Sequence, residues 1–435
     1  MRKLAVAALI AVLVGHAAVS TPAWAVECTF VAPLEPARDP GETADRAPDT
    51  SATGRSGSAG PARAPPGRER SQARDRDDAD GGPGSQRAPQ QAAQSPRLDV
   101  DAFTTALDRR FRTSTAGYVM QLRQHGAPLR TKSWRWARGP RDGGLTWDAD
   151  RRMHVASISK LVTAIAMVRL LDDKGIDASA KIIDYLPQHW RKGPGIDQIT
   201  FAQLLRHESG FDTGTYYADY RFMQRQVAKG VTGAGAYRYQ NINFGLARVL
   251  IPIINGDLRT DAALADEAWD DQTLAHYAAY VQRAVFAPSG VTGATLVRPP
   301  AAALAYTYQA AGKGWDSGKL TCAAGAAAWF MSANEVLDVL GTFRRHGTIV
   351  PAQRAQALLQ QRFGIDRIGS VGAASFYVKS GAWWDGSRQR MEQSVAYVLP
   401  EDMELVVFVN SPIGADNDNL TAVVSDIYRH HLSYH

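Results

Sequence analysis

Two distant parts of this chain have to meet. Strand-like runs occur at 117–123 and 129–136, separated by the turn residues Gly126-Ala127-Pro128, and then only at 374–379, 393–399 and 404–410. Between them lies mostly helical material, and amphipathic segments at 100–111 and 420–432 flank the strands. Strands at both ends of a helical stretch predict one antiparallel sheet of about five strands, flanked by N- and C-terminal helices and interrupted by a helical insertion at about 176–366. The fold class expected is α/β of the α+β kind, with an all-helical subdomain. The segment from Leu98 to the C-terminus is long enough for a sizeable core.

The chemistry starts at one helix. Leu161, Val162, Ala164, Ile165, Ala166, Met167, Val168, Leu170 and Leu171 put apolar side chains on every face, so this helix is buried and ends at Gly175. At its mouth stands Ala156-Ser157-Ile158-Ser159-Lys160, an S-x-x-K. A serine there sits among unpaired backbone N–H groups and at the positive end of the dipole, which favours a developing oxyanion. Lys160, one turn on, is desolvated by the same helix, and a lysine kept neutral can accept the serine proton.

Alone, S-x-x-K is weak, because chance produces it in many chains. Here it is followed in order by Tyr239-Gln240-Asn241 and Lys379-Ser380-Gly381. A hydroxyl, an amine three residues on, a phenol and a second amine are the parts that make a serine nucleophilic and hold a carboxylate-bearing acyl substrate. Ser332-Ala333-Asn334 is a rival for the second motif, but Ser332 with Glu335 reads as the capping box of a helix continuing to Leu340. His207 has no H-E-x-x-H partner and is left out of the catalytic set. The sequence contains no G-x-S-x-G elbow, paired C-x-x-C units or H-E-x-x-H, which counts against an α/β-hydrolase and a zinc enzyme. No metal or organic cofactor is implied.

With these three motifs the chain resembles the serine β-lactamase and D-Ala-D-Ala carboxypeptidase family, nearest its class C β-lactamase-like branch, in which a tyrosine replaces the serine of the second motif. The resemblance runs over about 103–427, with support from Leu204-Leu205-Arg206-His207-Glu208-Ser209-Gly210 and Tyr397-Val398-Leu399-Pro400. It implies Ser157 as nucleophile, Lys160 as its activating partner and Tyr239 as proton shuttle. It further implies that Asn241 holds the substrate amide and that Lys379, Ser380 and Gly381 lie on an edge strand beside the site. In that picture Lys379 lowers the Tyr239 phenol pKa and attracts a substrate carboxylate. The N–H groups of Ser157 and Ala382 would form the oxyanion hole.

Residues 1–25 read as a signal peptide: Arg2 and Lys3 precede an apolar stretch, and Ala23-Trp24-Ala25 closes it. The stretch is too short to span a bilayer, so a secreted or extracytoplasmic protein with no integral membrane segment after cleavage is expected. Glu27 before Cys28 disfavours a lipid anchor. Residues 26–97 read as a disordered spacer, since from 35 to 97 there is almost no large apolar residue to offset the ordering entropy. Cys28 and Cys322 suit an oxidising compartment and could pair. Residues 35–97 carry ten arginines and ten acidic residues, and 37 basic against 32 acidic residues remain from 98 onward. That excess is mild, and a nucleic-acid partner is not expected.

The expectation is therefore an exported serine hydrolase forming an acyl-enzyme at Ser157. Its substrate would be a small molecule or peptide, foremost D-alanyl peptides of the kind found in cell walls or related carboxylate-bearing amides. An esterase or amidase on the same scaffold, and a penicillin-binding or sensing module with little turnover, are the alternatives. The motifs report neither oligomeric state nor how water is placed for deacylation.

Overall fold

A computed structural model of the chain describes residues 96–214 and 218–433. The expected signal peptide, the spacer up to residue 95 and Cys28 lie outside the described residues. Cys322 is disulfide-bonded.

The strands are β1 (Gly117–Gln124), β2 (Ala127–Arg138), β3 (Leu145–Thr146), β4 (Arg367–Val371), β5 (Ala374–Trp384), β6 (Met391–Leu399) and β7 (Met403–Val409). They form one antiparallel sheet of seven strands in the order β3-β2-β1-β7-β6-β5-β4. The two ends of the chain meet where β1 pairs β7, with Met120 opposite Val407 and Leu122 opposite Leu405. The expected count was five; the two additional strands are the edges. β3 has only two residues, and β4, Arg-Ile-Gly-Ser-Val, is largely exposed, so neither offers a run of alternating apolar residues.

The helices are α1 (Val100–Ser114), α2 (Ser159–Lys174), α3 (Phe201–Leu205), α4 (Tyr220–Lys229), α5 (Asn241–Asn255), α6 (Asp266–Val281), α7 (Ala333–Gly341), α8 (Ala352–Gln360) and α9 (Leu420–His430). α1 starts where the Asp99 side chain accepts the N–H of Ala102, and it buries Phe103, Leu107 and Phe111, spaced four residues apart along one face. These residues pack with Tyr428 of α9 and with Tyr118, Met120, Val395, Tyr397 and Val407 on one face of the sheet. The alternate residues Val119, Ala396, Val406 and Phe408 face the helical side, where α2 and α5 form the centre of the larger core. α2 ends at Gly175 in the left-handed conformation.

Two features depart from the sequence expectation. α5 is a second central helix, buried from Asn241 to Ile254. The insertion is also not wholly helical: Phe330–Met331 pairs with Met153–His154 just ahead of Ser157. Ser332 caps α7 in a capping box with Glu335, as read from sequence. Arg97–Leu98 pairs with Leu432–Ser433. Among the described residues no helix is long and apolar enough to cross a membrane.

Candidate active site

Ser157 lies in a single 3-10 turn, Ala156–Ile158, immediately before α2. Ala156 has φ +46°, a left-handed conformation that a residue with a Cβ adopts only under constraint. The constraint comes from the sheet: Ser394 Oγ donates to Val155 O at 2.8 Å, and Gly381 of β5 presses against the turn. A Cβ at position 381 would sit 2.4 Å from Val155 O and 2.9 Å from Ser157 N. Only glycine lets strand and turn approach so closely. Ser157 is half-buried, so its hydroxyl remains reachable.

Lys160 is fully buried, and its Nζ has three partners: Asn241 Oδ1 at 2.7 Å, Ala326 O at 3.0 Å and Ser157 Oγ at 2.9 Å. The first two can only accept, so they take two N–H bonds of the amine. The third, a hydroxyl, accepts from Nζ here and can instead donate when the amine is neutral. Burial, and next the charge of Lys379, hold Lys160 well below the ordinary lysine range, with Asp366 acting in the opposite direction. Burial therefore disfavours the charged form of the amine that faces the serine.

Tyr239, one residue before the N-cap of α5, donates its phenol O–H to Ser157 Oγ at 2.7 Å. Its ring lies between two amines, Lys160 Nζ at 4.9 Å and Lys379 Nζ at 5.3 Å from the centroid. The buried ring of His207 packs against it at a tilt of 32°, with centroids 4.4 Å apart. His207 Nδ1 accepts the N–H of Gln240 at 3.2 Å and lies 3.0 Å from Asn243 Nδ2. Burial foremost, with the charge of Lys379 among the further causes, holds the His207 pKa well below its ordinary range. The imidazole is therefore a rigid, neutral support under the phenol and not a proton carrier.

β4 pairs β5 only as far as Val378, so from Lys379 onward this edge of β5 is open. Ser380 N–H points outward at that edge and donates to Asp366 Oδ2 at 2.8 Å. Ala382, two residues on, directs its N–H the same way. Lys379 is 1% exposed and binds Asp366 Oδ1 at 2.5 Å, and Ser380 Oγ donates to Asp366 Oδ2 at 2.8 Å. Among the described residues, no group of three or more His, Cys, Asp or Glu is placed to hold a metal ion.

This geometry can carry out acyl transfer. A hydroxyl is polarised from two sides, an amine is ready to accept its proton, and backbone donors stand at an open strand edge. Residues 100–426 match the Beta-lactamase family. The chain belongs to the beta-lactamase family of serine hydrolases. The same fold occurs in FmtA from Staphylococcus aureus (14% identity, 80% of this chain and 92% of that one, TM-score 0.58). It recurs in a class C beta lactamase from Rhodobacter sphaeroides (17%, 76% and 99%, 0.56). A third instance is the D-amino acid amidase from Ochrobactrum anthropi SV3 (17%, 76% and 98%, 0.56). No relative at the sequence level is found among curated proteins.

In this beta-lactamase-family site, Ser157, Lys160, Tyr239 and Asn241 come together on the helical side, and Lys379, Ser380, Gly381 and Ala382 face them from β5. Asn241 is buried at the start of α5, and its Oδ1 accepts from Lys160 Nζ. Sequence reading missed Asp366 altogether. The available signal was the hairpin turn around Gly372, which puts Arg367 opposite Val378 and so carries Asp366 to Lys379.

Proposed function

We propose that the protein is an exported hydrolase that cleaves an acyl ester or amide through an acyl-enzyme at Ser157. One observation carries this reading: Ser157 Oγ stands between the buried amine of Lys160 and the phenol of Tyr239. In the first step Lys160 takes the hydroxyl proton as Oγ bonds to the acyl carbon. The N–H groups of Ser157 and Ala382 receive the negative oxygen, and Tyr239 returns a proton to the leaving group. Water then releases the acid by the reverse use of the same groups. The signal-like residues 1–25 support export.

Two substrate classes compete. Lys379 and Ser380 by themselves favour D-alanyl peptides and other carboxylate-bearing amides. The bonding of both residues to Asp366 favours the second class, uncharged esters and amides.

The test is intact mass spectrometry of the mature protein with a fluorescent penicillin and with a p-nitrophenyl ester, using Ser157→Ala as control. An adduct that forms and clears at Ser157 supports hydrolysis, and one that persists points to a sensing module. Ser157→Ala is expected to lower turnover by at least about a thousandfold. A Ser157→Ala protein that still turns over substrate would remove the reading.

A further inference from the structure

We propose that Asp366 makes this site select acyl substrates with no carboxylate facing Lys379, because its own carboxylate already fills the position such a group would take. This rests on the acyl-enzyme reading of Ser157 and names its substrate class: esters and amides whose leaving group is neutral on that side.

The donors at this end of the site are Lys379 Nζ, Ser380 Oγ and Ser380 N–H, and each of the three donates to one side chain. Asp366 Oδ1 takes the ammonium at 2.5 Å, and Oδ2 takes both serine donors at 2.8 Å. A substrate carboxylate would need the same ammonium and the same hydroxyl. Entering beside Asp366, it would put two carboxylates on one buried cation, an arrangement in which one of them resists ionisation.

Asp366 is not free to swing away. Its N–H donates to Val378 O at 3.0 Å, closing the β4–β5 ladder, and its carbonyl accepts from Arg362 Nη2 at 2.7 Å. The backbone is held on both sides, and the side chain is 22% exposed. A ligand can reach this carboxylate, but displacing it would leave a buried ion pair broken. The ion pair carries no net charge, and burial disfavours the charged form of the opposing amine, Lys160. A neutral group therefore leaves the Lys379–Asp366 pair intact.

The experiment compares two activated esters that differ in one group: the phenylacetylglycyl esters of 3-hydroxybenzoic acid and of 3-hydroxybenzamide. Full-length wild-type protein and Asp366→Asn are assayed with both, and Ser157 acylation is followed by intact mass. The wild type is expected to show a kcat/KM for the carboxamide ester at least about tenfold above that for the carboxylate ester. Asp366→Asn should move the ratio toward the carboxylate by about tenfold to a hundredfold, the range supplied by a charge-assisted hydrogen bond. A wild type that prefers the carboxylate overturns the proposal, as does an Asp366→Asn protein that folds and keeps the wild-type ratio. If Asp366→Asn does not fold, the wild-type ratio alone decides. Cleavage of neither ester, with no adduct at Ser157, removes the acyl-enzyme reading and this proposal with it.

Discussion

Two lysines stand on opposite walls of the cleft, both almost completely buried, and the chain treats them in opposite ways. Lys160, on the helical side, bonds an amide oxygen, a carbonyl and a hydroxyl, with no carboxylate in hydrogen-bond reach among the described residues. Lys379, on the sheet side, meets the carboxylate of Asp366 at 2.5 Å. Removing an ammonium from water is costly, and there are two remedies: discharge it, or pair it. The first remedy makes a base; the second makes a neutral wall. Two residues of one type, at one depth, thus acquire different chemistry from their neighbours alone.

The largest expected effect comes from removing the discharged member. Lys160→Ala takes away the proton acceptor, and kcat/KM for a neutral p-nitrophenyl ester should fall by about a hundred- to ten-thousandfold. Steady-state kinetics measures this directly. A loss below about tenfold would mean that the serine proton leaves by another route and that the comparison assigns the base to the wrong wall.

Next in size is the contact that joins the two walls. Gly381→Ala would drive a Cβ into Val155 O at 2.4 Å, backbone against backbone, so the serine turn or β5 must move. Misplacement of the nucleophile by about 1 Å costs on the order of a hundredfold in acylation. Stopped-flow acylation should show that loss while KM changes little. An unchanged acylation rate would mean that the close approach of the walls serves folding alone.

The sequence disclosed one of these lysine environments and hid the other. Lys160 was legible because the main cause of its shift, burial, is local: it lies three residues after Ser157 in an apolar helix, whereas the second cause, Lys379, comes from the far sheet. Tyr239 and Lys379 were legible as motifs in order, although spacing says nothing of distance. Asp366 was not, because β4 is an exposed edge strand with Gly369 and Ser370 where an alternating apolar run would be, and without β4 nothing brings residue 366 to residue 379. Likewise β3, two residues long, falls below any periodic signal. His207 was set aside as a structural residue, and it lies neutral beneath Tyr239. What escaped was its place, fixed by a left-handed backbone (φ +60°) and by bonds to residues more than thirty positions away.

A smaller effect sharpens the electrostatic side of the comparison. The reaction needs neutral Lys160, so kcat/KM falls as pH drops through its folded pKa. Lys379 pushes that pKa down and Asp366 pushes it up. Lys379→Gln should therefore move the acidic limb of the profile to higher pH, and Asp366→Asn should move it to lower pH. Profiles measured with the neutral p-nitrophenyl ester keep substrate charge out of the result. If the two variants shift the limb in the same direction, it does not report Lys160.

The smallest effect concerns the ring between the two amines. His207 supports Tyr239 without touching Ser157, and it accepts from Gln240 N–H at the start of α5. His207→Asn keeps the left-handed backbone accessible but is too short to stack under the phenol. It should leave buried donors unpaired and lower stability by about 1–3 kcal/mol in chemical denaturation. Looser placement of the phenol, worth about 1 kcal/mol, should lower kcat about fivefold. Because His207 is neutral throughout the working range, the acidic limb should stay with Lys160, and only the plateau should drop. A limb that moves with His207→Asn would mean that the imidazole exchanges protons with the site, which would make it a third titrating partner beside the two lysines.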